Sequence, residues 1–151
     1  MGRFATQRGF DFINGINEEL INNVVETSVV IYRISPENST INLYGESISK
    51  DYMIGTQVHA LIASDEQSTP SEDWGPDSGR LVVFNFHKNT LQDISLFPEY
   101  GDIIAWDDAY FEVHNIMDNS RFGGKIAFDV SIICETHMTR RSSLNIDQRP
   151  I

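Results

Sequence analysis

The chain has a single cysteine, Cys134, so no disulfide can form within it, and a fold that leans on covalent staples is excluded. That usage predicts assembly in a reducing compartment. Bases are scarce, 11 Lys and Arg against 22 Asp and Glu, which gives a net charge of −11 over 151 residues. A surface built to grip nucleic acid is therefore not expected, because such affinity is carried by cations set on phosphates. Proline is also sparse, at 5 residues, which leaves long stretches free to pair as strands. No apolar run approaches the ~18 residues of a membrane span, and the opening MGRFATQRGF has no apolar signal core. Thr6 meets the myristoylation pattern after Gly2 only formally, with no second lipid or polybasic signal beside it.

Ordinary globular composition remains, with 40% hydrophobic and 11% aromatic residues, enough for one core at this length. Most of the patterning is extended. Arg80 to His87 alternates, with Val82, Phe84 and Phe86 on one side and Leu81, Val83 and Asn85 on the other; Met53 to Ala63 alternates similarly through Ile54, Thr56, Val58, Ala60 and Ile62. Val29 to Ile34 is β-branched and extended, Thr40 to Tyr44 is a short strand, and Lys125 to Met138 follows the Gly123-Gly124 turn as the last strand. One substantial helix is predicted, from about 17 to 28. Asn17 is its expected N-cap, and Leu20, Ile21, Val24 and Val25 form its apolar stripe. Asn89 or Thr90 caps a further single turn through Ser95.

The most legible stretch is 98–117. Ile103 to Trp106 makes one strand, Asp107-Asp108 the turn, and Tyr110 to Met117 the return, with Phe111, Val113 and Asn115 on one face and Tyr110, Glu112, His114 and Ile116 on the other. The predicted fold is thus mainly β, α+β in class: a small antiparallel barrel or sandwich with one N-terminal helix and extended termini. Residues 1–15 read as an arm, 16–138 as a single β-rich domain carrying an acidic loop over 64–79, and 139–151 as a tail. The flanking strands are expected to pair without that loop, whose Trp74 is the large aromatic of an otherwise polar segment.

Candidate chemistry is thin. His59, His87, His114 and His137 form no HxH or HxxxH pair, and Cys134 lies three residues from His137, on the opposite face of a strand, so neither a metal cage nor a thiol–imidazole pair is expected. Asp107 and Asp108 with Asp102 and Asp118 offer oxygens to a hard cation, but turn formation by itself accounts for the Asp pair. No catalytic residues, no cofactor and no enzymatic activity are predicted. The segments that offer both charge and apolar contact are the ends: Phe4, Arg8 and Phe10 at the start, Trp74 in the loop, and Arg140, Arg141 and Arg149 beside Leu144, Ile146 and Ile151 in the tail. The N-terminal arm either orders against a neighbouring molecule or folds back on its own domain, whereas the tail is expected to extend onto a neighbouring subunit or the next component of its assembly and to order only on assembly, the alternative being attraction to its own acidic body.

Two motifs carry a resemblance. Pro98-Glu99, Gly101-Asp102-Ile103-Ile104, a short acidic turn and Phe111-Glu112-Val113 follow Leu43-Tyr44-Gly45-Glu46-Ser47 with Ser49 and Tyr52. In this order they resemble the neck, or head-tail connector, proteins of contractile-tailed bacteriophages. The resemblance implies a homo-oligomeric ring, a hexamer being favoured, that sits in the virion neck, is assembled in the host cytoplasm and lines a channel for passing DNA without specific binding. It implies as partners a portal-side adaptor or neck protein and a tail-terminator protein, and no membrane. The acidic balance suits either a non-adhesive DNA conduit or solubility alone. Rival readings are a tail-terminator or head-closure ring protein, and a small β-barrel ligand-binding module or enzyme using the loop around Trp74.

Overall fold

The computed structural model describes residues 6–35, 40–41, 47–68, 79–121, 129–139 and 146. Its frame is a seven-stranded antiparallel sheet in the order β4-β1-β7-β8-β9-β6-β5. The strands are β1 (Ser28–Tyr32), β4 (Thr56–His59), β5 (Leu61–Ser68), β6 (Gly79–His87), β7 (Ile103–Trp106), β8 (Ala109–Arg121) and β9 (Asp129–Thr139). Strands β2 (Thr40–Ile41) and β3 (Ser47–Ser49) pair separately. The two edge strands, β4 and β5, are consecutive in the chain and joined by Ala60 alone, so the sheet must curl until its edges approach. The result is barrel-like, as the alternation predicted. The run expected as one strand over 53–63 is two strands turning a corner at Ala60, whose N–H donates to the Thr27 carbonyl at 2.9 Å. Its inward phase survives the corner: Val58 and Ala60 are buried and Ile62 packs on the core, while Ile54 is exposed.

The interior is filled by Val29, Ile31, Val82, Phe84, Phe86, Ile104, Phe111, Val113 and their neighbours. Phe84 is central, with ring centroids 5.8 Å from Phe111, 6.0 Å from Trp106 and 6.3 Å from Phe86. A smaller cluster of Tyr32, Tyr52 and Ile103 lies on the opposite face of β1 and β7. It is held by the Ile34–Tyr52 bridge and by Lys50, whose Nζ donates to Glu112 Oε1 at 2.8 Å. Gly55 lies where a Cβ would come within 2.5 Å of Val30 Cγ1, so only glycine lets the chain pass so close to β1.

The β7–β8 hairpin forms as predicted. Asp107 and Asp108 have φ of 53° and 57°, the two positive values of a type I′ turn, whose twist matches that of the strands. Two facing assignments change. A bulge at His114 puts Asn115 opposite Glu135 and Ile116 opposite the buried Cys134, so Ile116 points to the core and Asn115 leaves it. The bulge inserts one residue, and one residue inverts the parity of a strand.

The helical part departs most from expectation. Helix α1 spans Gln7–Glu19 and continues as a π-helical segment over Leu20–Val25. Thr6 is the N-cap, accepting from the Gly9 N–H at 3.2 Å, so Asn17 lies inside the helix and residues 7–15 are not an irregular arm. The stripe divides as well: Ile21 is buried, whereas Leu20 and Val24 face solvent and Asn22 points inward to donate to Thr90 Oγ1 at 3.2 Å. A π-helical stretch turns less per residue than an α-helix, so the periodicity read from the sequence loses phase there. The short helix α2 (Lys88–Asp93) has His87, not Asn89 or Thr90, as its cap residue, and its Leu91 enters the core.

The loop expected over 64–79 is shorter. Residues 61–68 form β5 and pair with β6 down to Ser68 opposite Gly79, so Asp65 and Glu66 belong to a strand. Removal of 65–77 would therefore destroy half of an edge strand.

Candidate interaction surface

At one end of β6 the barrel mouth is closed by Arg80. Its Nε and Nη2 donate to Asp65 at 2.8 and 2.7 Å, its Nη1 donates to Asp107 at 3.0 Å, and its guanidinium stands 5.0 Å from the Trp106 ring centroid. The Asp65 carboxyl is held below the usual carboxylate range, chiefly by its hydrogen bond to Arg80. Each group here is satisfied by another, which describes a structural clamp.

Beside β7, Asp102 is almost fully buried and accepts from the backbone N–H of Glu99 at 2.8 Å and of Ile34 at 3.2 Å. Burial pushes its carboxyl above the ordinary range, and the two N–H bonds oppose that rise. Gly101 has φ of +87°, and its N–H donates to the Val113 carbonyl at 2.8 Å. The Pro-Glu-x-Gly-Asp motif is therefore a staple that ties its own turn to the end of β1. Glu99 pairs with Arg33 across the same junction.

The histidines are dispersed except for one pair. His114 and His137 meet on the outer face with ring centroids 5.4 Å apart, because the bulge lets neighbouring strands bring them together. Among the described residues no group of three or more His, Cys, Asp or Glu could hold a metal ion. Cys134 is buried, with its thiol pushed up to about 12 by burial, and His137 lies on the other face, as their spacing required. Asp102, Asp107 and Asp118 do not converge: Asp102 is buried, Asp107 is bound to Arg80, and Asp118 lies far along β8 from the turn.

Opposite the Arg80 mouth, α1 crosses the end of β6. Buried His87 Nε2 donates to Asn14 Oδ1 at 2.9 Å, and burial lowers the imidazole's pKa. That inner contact fixes which helix face looks out. The outer face carries Phe12 at 69% exposure, Ile16 at 49%, Leu20 at 41% and Val24 at 68%, spaced by four, with Arg8 one turn ahead of Phe12. Four large apolar side chains stand in one exposed row, a ridge rather than scattered surface residues. Of the sequence-predicted contact residues, Arg8 stands at the head of this ridge, and Phe10 is partly buried on the helix's inner side. Phe4, Trp74, Arg140, Arg141 and Arg149 lie outside the described residues, as do Leu43 to Glu46 of the upstream motif. The ridge itself was missed: its four-residue spacing is present in the sequence, but Gly9, Gly15 and the asparagines lower helix propensity and obscure it.

Beyond the helix, Pro98, Glu99, Tyr100, Ile116 and Asp118 line an open depression of about 450 Å³. Tyr100 is 66% exposed on its rim.

No family model matches the chain, and no curated protein matches it either. Among solved structures, a chain from one described as "Virion of native gene transfer agent (GTA) particle" aligns with a TM-score of 0.48 and 10% identity, covering 74% of this chain and 93% of that one. A likeness of that degree does not bear on function. No described helix is long and apolar enough to cross a membrane.

Proposed function

We propose that the chain is a non-enzymatic structural component of a phage-type virion, a subunit of a neck ring between head and tail. The observation that carries this reading is the ridge of Arg8, Phe12, Ile16, Leu20 and Val24, which a domain acting alone would leave in water at a cost of roughly 25 cal/mol per Å² of apolar surface. It is joined by the sequence resemblance of the Pro98–Val113 staple to connector proteins. A barrel packed with Phe84, Phe86 and Phe111 also favours a scaffold over a module that holds a ligand inside.

The net charge of −11 suits a wall along which DNA slides without adhering. Labelling of the chain on particles and imaging by electron microscopy tests the assignment: signal on the axis at the head–tail junction is expected. Signal at the far end of the tail, or none on particles, refutes it. Purified protein should also show no duplex affinity at physiological salt, and steep salt-dependent binding would rule out the conduit.

A further inference from the structure

We infer that the α1 ridge of one copy of this chain docks in the Pro98–Asp118 depression of the next copy, a head-to-tail contact led by Phe12. The inference rests on the ring reading for its biological setting, but its geometry stands on three observations. First, ridge and depression are separate surfaces of one molecule. Phe12 is 69% exposed and so does not occupy the depression of its own chain.

Second, their shapes and polarities correspond. The ridge is convex and apolar, with residues in an i, i+4 row; the depression is concave, with Pro98, Tyr100 and Ile116 as its apolar lining. At about 450 Å³ it admits one aromatic side chain with part of its neighbour.

Third, this pairing sets the one base of the ridge against carboxylates. Arg8 is the one base between residues 7 and 26, one turn from Phe12, and the depression carries the carboxylates of Glu99 and Asp118. Asp118 is exposed and available to it. A contact between two different patches repeats from copy to copy and closes into a ring when the rotation permits.

The test mixes two full-length variants, Phe12→Cys and Tyr100→Cys, under mild oxidation. Buried Cys134 is retained in both. A disulfide-linked two-chain species is expected in the mixture and not in either variant alone. A crosslink formed as well by Phe12→Cys alone would show a symmetric helix contact, and no crosslink would show that the ridge is covered by something else; either overturns the inference. In parallel, Phe12→Asp should weaken self-association by about tenfold or more while leaving the melting temperature unchanged. Unaltered self-association, or a wild-type chain that stays monomeric at the highest attainable concentration, also overturns it. Because these measurements use purified protein, they can fail while the neck location stands, and imaging of particles can fail while the contact stands.

Discussion

The residues that matter most are polar groups placed where water cannot reach. Asp102 satisfies two backbone N–H groups that the turn at 99–102 and the end of β1 would otherwise leave unpaired. Asp102→Ala should therefore cost at least about 2 kcal/mol in chemical denaturation, since each buried donor left without a partner costs about 1–3 kcal/mol. His87 makes the opposite case for pH. Burial lowers its pKa below the ordinary 6.5, against the upward pull of Glu18, Asn14 and Asp93. The unfolded chain then binds the proton more readily, so stability is fully present above the ordinary value and is lost as pH falls below it toward the folded value. Melting temperatures recorded from pH 8 down to 5 should decline below about 6.5, and His87→Gln should flatten that part of the profile.

Among the elements, the β5–β6 ladder and the β7–β8 hairpin are self-sufficient in register. Ser68 stands opposite Gly79, so a two-residue turn suffices where residues 69–78 now connect them. Replacement of 69–78 by Asn-Gly should leave a cooperatively folding domain with near-native circular dichroism; loss of cooperative melting would place that segment in the core. The hairpin turn holds Asp108 at φ of 57°, a conformation that glycine adopts without steric cost. Asp108→Gly is expected to leave stability unchanged or raise it by up to about 1 kcal/mol, read from the denaturation midpoint. Asp107 is the poorer choice for that change, because its carboxylate also holds Arg80 at the barrel mouth.

For the molecule as a whole, the question is what its ends do. Ile146, the one described residue beyond β9, packs on the outer cluster of Tyr32, Tyr52 and Ile103. At that point the tail belongs to its own domain, contrary to a tail that orders only on assembly. Ile146→Asp should lower the melting temperature of the isolated protein; an unchanged value would show that the contact contributes nothing to the fold. The N-terminal end behaves differently, since α1 and the π-helical segment present their apolar row outward and hold on by the hydrogen bonds of Asn14 and Asn22 beside buried Ile21. Self-association is accordingly expected to depend on the helix and stability on the tail.

The sequence by itself determined the strands and their faces wherever alternation runs uninterrupted. Val82, Phe84 and Phe86 point inward because a strand has period two, and Asp107-Asp108 turn because Asp tolerates a positive φ. It also determined that Cys134 and His137 cannot meet. Only the tertiary structure decided where that period breaks, at the His114 bulge, and where the chain turns without losing it, at the Ala60 corner, because both are set by pairing between distant strands. It decided the helix too. Glycine and asparagine make 7–19 a poor helix by propensity, and the His87–Asn14 bond between residues far apart in the chain selects the face that is buried. The exposed ridge follows from that long-range contact, which no local pattern encodes.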